Sequence, residues 1–129
     1  MSGNSLFLVT NTLIYFFEGQ QKVTELIVST PILYYSVISE IEIFSFEQLD
    51  QQTETQINTF LASCYHVGLT QEIVKKCIDL RKTYNIKIPD AIIAASSLQI
   101  NSPLLSADQG FKKISEIDLL YLIHFHHHH

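Results

Sequence analysis

The chain has no tryptophan, one methionine, two cysteines, three prolines and four glycines among its 129 residues. Charge is scarce as well, at 16% of residues, and basic residues are the scarcer sign, with 8 Lys and Arg against 13 Asp and Glu. Each shortage excludes something. Little proline and glycine beside 47% hydrophobic residues excludes a disordered chain and predicts a globular one. The four glycines form no phosphate-cradling loop, which argues against a nucleotide-binding α/β domain. Cys64 and Cys77 sit in apolar-rich segments without metal-type spacing. They read as buried thiols of a reduced, cytoplasmic protein and not as a disulfide. A net charge of −5 argues against general binding of duplex nucleic acid. No apolar run approaches the roughly 20 residues of a membrane span, and no charged start precedes an apolar stretch as in a signal peptide. His126 to His129 look like a purification tag, which leaves residues 1–125 as a single expected domain.

What charge there is falls unevenly. Residues 1–74 carry eight acids and one base (Lys22), whereas residues 75–129 carry seven bases and five acids. A basic rim beside an acidic site is therefore compatible with the acidic total.

Short apolar runs alternate with amphipathic ones. "SLFLV" (5–9) reads as a buried strand feeding the helix "TLIYFFEG", with Gly19 as its stop. "KVTELIVS" (22–29) is a second helix, and Pro31 introduces the strand "ILYYS". "SVISEIEIFS" (36–45) has Val37, Ile38, Ile41 and Phe44 at helical spacing. Asp50 opens a helix over "QQTETQINTFLASC", and "YHVGL" (65–69) is a weakly marked strand. Thr70 is a suitable N-cap for a helix to about Tyr84. "PDAIIAASSLQ" is the next helix, with Pro89 expected at its first position, where a missing N–H costs nothing. "PLLSA" is a strand, "DQGFKKI" a turn or short helix, and "DLLYLIHF" a closing strand. This alternation predicts an α/β fold, a parallel sheet covered by helices on both faces.

In such folds ligands bind beyond the carboxyl ends of the strands. Thr10 and Asn11 follow the first strand, Glu40 and Glu42 lie in the helix after the second, Asp90 opens its helix, and Asp108 follows "LLS". Acids converging on one sheet edge repel unless a cation neutralises them, and hard carboxylate oxygens suit Mg²⁺ or Mn²⁺. Taken singly, Asp90 is an ordinary helix-dipole partner, Asp108 a turn residue, and the two glutamates a solvated helix edge. Glu40 and Glu42 lie about 200° apart around a helix, so only one points into a small site, and periodicity does not choose between them.

The stretch "LRKTYNIKIPDAIIAASSLQINSPLLSADQGFKKI" (80–114) closely resembles the third and fourth acidic motifs of PIN-domain nucleases, in particular VapC-type toxins. "SVISEIEIFSF" resembles their second motif and "FLVTNTLIYFFEG" their first, so the resemblance covers residues 6 to about 123. It implies a PIN-like three-layer fold with about five parallel strands, and metal-dependent RNA cleavage. By motif it makes Glu42, Asp90 and Asp108 the catalytic metal ligands for Mg²⁺ or Mn²⁺. Thr10, Asn11 and Ser106 become donors that orient them. Arg81, Lys82 and Lys87 are candidates to meet RNA phosphates, with a solvated helix end as the plainer reading of all three. The fourth motif often has a further acid just before its Phe, where this chain has Gly110. Aligning Thr10-Asn11 with the first motif puts Val9 where the family's first acid belongs. Valine offers no lone pair, so the resemblance implies a PIN domain whose ion is weakly held or absent and whose nuclease activity is weakened or lost. A homodimer, a VapB-like antitoxin and an RNA substrate are the implied partners. The competing expectation is a noncatalytic PIN module that acts by binding protein or RNA.

Overall fold

The strand Ser5–Leu8 (β1) is followed by the helices Thr10–Phe17 (α1) and Gln21–Val28 (α2), and Ile32–Ser36 (β2) by Val37–Phe44 (α3) and Gln51–Leu61 (α4). Then come Tyr65–Val67 (β3), the helices Gln71–Thr83 (α5) and Ile88–Ile100 (α6), Leu104–Ser106 (β4), a 3₁₀ turn at Gln109–Lys113, and Leu119–Tyr121 (β5). The computed structural model describes residues 4–122. The end of the expected closing strand (residues 123–125) and the histidine run lie outside the described residues.

Local chemistry sets most boundaries. Gly19 ends α1 with φ +79°, a left-handed conformation that glycine adopts without steric cost. Gln20 caps α2 by accepting from the N–H groups of Lys22 and Val23, and the Ser36 hydroxyl caps α3 by accepting from Ile38 N–H. Asp50 and Thr70 cap α4 and α5 in the same way. Asn101, at φ 56°, closes α6. Pro89 departs from expectation: α6 begins one residue earlier, at Ile88, so Pro89 takes the second helical position. Its missing N–H is still among the four that a helix start leaves unpaired, so the proline fits there too.

The five strands are all parallel, in the order β3-β2-β1-β4-β5. In the centre Phe7 pairs with Tyr34 and Leu104, and Leu8 with Tyr35 and Leu105. Successive side chains point to opposite faces, and each face has its own core. Phe7, Val9 and Leu104 pack with Ile73, Leu80 and Ile93 of α5 and α6. Leu6, Leu8 and Leu105 pack with Leu13, Val23 and Ile57 of α1, α2 and α4. This is the expected helix–sheet–helix sandwich, and no described helix is long and apolar enough to cross a membrane.

Helix α6 is buried without a break from Ala91 to Ser97. Its hydroxyls are satisfied internally: Ser96 donates to Ile92 O (2.7 Å) and Ser97 to Ser102 O (2.6 Å). Helix α3 is turned differently from the expected stripe. Ser39 and Ile43, one turn apart, are its buried residues, and Ile41 is 58% exposed. The small Ser39 lets α3 approach α1, which rotates Ile41 away from the core toward the carboxyl edge of the sheet.

A candidate acidic cleft at the carboxyl edge of the sheet

Chain direction across the sheet reverses at β1. One crossover leads from it to β2, and β4 enters on its other side from a crossover of opposite sense. Such a switch point opens a crevice at the carboxyl ends of the strands. Here it is a cleft of about 600 Å³ whose lining includes Val9, Thr10, Asn11, Glu42, Asp90 and Asp108. Each acid arrives on its own element: Glu42 on α3, Asp90 in the first turn of α6, and Asp108 two residues beyond β4.

Their surroundings hold them in place. Thr10 donates its hydroxyl proton to Glu42 Oε1 at 2.5 Å, and its Oγ1 also lies 2.9 Å from Ser39 Oγ. Asp108 caps the 3₁₀ turn: its Oδ1 accepts from Gly110 N–H (2.8 Å), and its own N–H donates to the buried Ser106 hydroxyl (2.9 Å). A Cβ at Gly110 would stand 3.2 Å from Asp108 Oδ1, tight enough to displace that carboxylate, and 3.7 Å from Asp90 Oδ2, an ordinary contact. Burial pushes the Asp90 carboxyl above the usual range, and the negative charges of Asp108 and Glu42 push it further. Lys87 and Lys113 act in the opposite direction.

Glu40 belongs elsewhere. It pairs with Nε2 of His66, a residue of the edge strand β3, at 2.7 Å, so tertiary placement chooses Glu42 for the cleft where helical periodicity did not. Arg81 and Lys87 join Asn85 and Lys113 around an adjoining cleft of about 500 Å³ that also contacts Asp90 and Asp108. Arg81 Nε donates to Ile86 O and Lys113 Nζ to Asn85 O, both at 3.1 Å, which ties the basic rim to the α5–α6 turn. Lys82 lines the apolar groove between α5 and α6 and not this cleft. Lys113, Asn85 and Ser39 were absent from the sequence-derived set. Lys113 lies within "DQGFKKI", but nothing local distinguishes it from Lys112.

The donor chemistry suits a hard divalent cation, but the arrangement falls short of a cage. Among the described residues no three His, Cys, Asp or Glu side chains form a group that could hold a metal ion. At the end of β1, Val9 is 3% exposed and packs into the core, with its side chain also lining the cleft. Three acids share a cleft here without sharing a coordination sphere.

A parallel sheet in this order with acids gathered at its switch point defines an α/β protein with an acidic cleft at the carboxyl edge. The PIN domain family model matches residues 6–117, and the chain belongs to that family. Comparison with curated proteins returns no match. Solved structures with the same fold include a toxin–antitoxin complex from Klebsiella pneumoniae (TM-score 0.78, 23% identity, 89% of this chain and 95% of that one). DNA-bound VapBC from Salmonella typhimurium aligns with a TM-score of 0.80 at 16% identity, over 92% of this chain and 98% of the other. VapBC-1 from nontypeable Haemophilus influenzae aligns at 0.77 and 21% identity, over 91% and 97%.

Proposed function

We propose that this protein is a VapC-type toxin of the PIN family, an endoribonuclease whose cleavage is weakened or lost because Val9 replaces an acid of the site. The observation that carries the reading is the meeting of Glu42, Asp90 and Asp108 in one cleft with an apolar side chain at the fourth position. In the complete form of such a site, Mg²⁺ or Mn²⁺ supplies an activated water and neutralises phosphate charge. The residues present do not complete that site, so the chain's own groups are left with binding and orientation. Thr10 fixes Glu42, and Ser106 with Gly110 fixes Asp108. Arg81, Lys87 and Lys113 offer cations for RNA phosphates, while the uncompensated acids repel them. Asn11 lines the same cleft as a further polar contact. The likeness to toxin–antitoxin complexes supports a VapB-like antitoxin as partner, and we extend the reading to a cytoplasmic homodimer.

The test is cleavage of structured RNA by this chain and by Val9→Asp, with Mg²⁺ or Mn²⁺ and with chelator, alongside growth of cells that express each. The expected result is an inert, tolerated parent and a Val9→Asp protein that cuts RNA and slows growth. Equal cleavage by both would remove residue 9 from the site. The second reading, a noncatalytic module that binds RNA or protein, is favoured by the burial of Val9 within the core. Inactivity of both proteins despite ion binding by Val9→Asp would select it.

A further inference from the structure

Two large side chains at the mouth of the cleft are left in water. Ile41 is 58% and Phe46 50% exposed, although their neighbours Phe44 and Leu49 pack against the core. Phe46 is not on a loose tip. Its N–H donates to Ile43 O (3.4 Å) and its carbonyl accepts from Leu49 N–H (3.3 Å), so the backbone that carries the ring is held in a turn. Ile41 and Phe46 line the cleft that contains Glu42, Asp90 and Asp108. The adjoining cleft meets it at Asp90 and Asp108 and is rimmed by Arg81, Lys87 and Lys113. The two adjoining clefts are thus lined by apolar and aromatic side chains in the first, by acids where they share residues, and by basic side chains in the second.

That sequence of chemistries matches a single-stranded polynucleotide, which presents flat apolar bases and anionic phosphates along one chain. Aromatic faces take unpaired bases regardless of their identity, and basic side chains take phosphates. In a duplex the base faces are already stacked and out of reach of a side chain at a groove mouth. The three acids repel phosphate, so they favour a strand anchored on either side of them.

We propose that Phe46 is the platform on which an unpaired base of single-stranded RNA stacks while the neighbouring backbone crosses the acids toward Lys87 and Lys113. The inference rests on the RNA-binding reading above and makes Phe46 a determinant of strand state, selecting unpaired over paired substrate. It needs no bound metal, because stacking and phosphate contact both act in the chain as it is.

The absence of tryptophan supplies the assay, since Phe46→Trp places the chain's single tryptophan at the site, where it can be excited at wavelengths its tyrosines do not absorb. Its emission is expected to be quenched by single-stranded RNA, and not by a duplex or by an abasic ribose-phosphate oligomer of equal length. In fluorescence anisotropy with labelled single-stranded RNA, Phe46→Ala is expected to bind about 5- to 150-fold more weakly, the range for loss of one base–aromatic stack. Phe46→Leu, which keeps apolar area but has no aromatic face, is expected to lose most of the same affinity. Phe46 is half exposed, so these variants are expected to melt with the parent. Lys87→Gln with Lys113→Gln tests the underlying reading separately, because it should weaken the RNA and the abasic oligomer alike and flatten the salt dependence. If the lysine variant weakens binding while Phe46→Ala matches the parent and Phe46→Trp is unquenched, stacking is refuted and the RNA cleft stands. If no oligomer binds the parent, both fall. Quenching of Phe46→Trp only by a protein partner would also overturn the proposal and assign the patch to protein docking.

Discussion

Replacing Val9 with aspartate tests the electrostatics of the cleft without relying on activity. The Val9 side chain is 3% exposed and packed with the core face of β1 and β4. Removing it from that contact forfeits about 1.5–3 kcal/mol of apolar burial. The new carboxylate enters a cleft that already holds Glu42, Asp90 and Asp108, and an uncompensated charge in such a place brings the total to about 3–5 kcal/mol. For a chain of this size each kcal/mol moves Tm by about 3–5 °C, so Val9→Asp should melt on the order of 10–20 °C below the parent in chelator. If the fourth carboxylate completes a divalent-ion site, ion at a hundred times its Kd returns about 2.7 kcal/mol, or about 10 °C. The assay is thermal denaturation at neutral pH of both proteins with EDTA, Mg²⁺ or Mn²⁺. Val9→Ala serves as a control that removes packing without adding charge. The parent and the alanine variant should hardly respond to ion. An equal response of all three proteins to Mn²⁺, or a Val9→Asp protein that melts with the parent in EDTA, would refute the argument, because residue 9 would then face neither the acids nor the core.

Other perturbations have signs set by the same geometry. Asp90 has its carboxyl pKa raised above 3.8 in the fold, so its stabilising contribution is complete below the unfolded value and is lost as pH rises through the raised folded value. Asp90→Asn should therefore melt above the parent at pH 7, with the gap closing below about pH 4, as read by melts across pH. Gly110→Ala places a methyl 3.2 Å from Asp108 Oδ1, so the carboxylate must move; a changed ion or RNA affinity of the Val9→Asp protein on adding this substitution would register it. Thr70→Ala removes the oxygen that accepts from Ile73 N–H at 3.2 Å and should cost about 1 kcal/mol in urea denaturation, leaving the m-value unchanged. Burial pushes the thiols of Cys64 and Cys77 upward, so both should alkylate more slowly than a free cysteine peptide near pH 8 in native protein and at its rate in denaturant.

The elements themselves were legible because their signals are local. Thr70, Asp50 and Gly19 act on backbone groups within a few residues, and the apolar runs of β1, β2 and β4 announce strands buried on both faces. Departures came where a neighbour in space outweighed a neighbour in sequence. The stripe through Ile41 obeys helical spacing, yet contact with α1 turned Ser39 and Ile43 inward and left Ile41 at the cleft. The weak strand at 65–69 formed over three residues only, at a sheet edge where Tyr65 stays 61% exposed and period-2 burial has little to act on.

The amino-acid sequence by itself determined the α/β class, the helix ends and the acids available for a site, since each depends on side chains acting on backbone nearby. Tertiary structure alone decided the strand order, and with it which of those acids meet. Glu40 and Glu42 are indistinguishable by pattern, but the crossing of α3 over α1 sends Glu42 to Thr10, and the position of β3 gives Glu40 to His66. Lys113 and Lys112 are likewise equivalent as letters, and only the docking of the 3₁₀ turn against the α5–α6 turn brings Lys113 to Asn85 and the edge of the acidic cleft. The physical reason is range: a cap or an apolar period acts over a few residues of chain, whereas a site is assembled from side chains up to about 100 positions apart, such as Val9 and Asp108, that only packing of the whole sheet brings together.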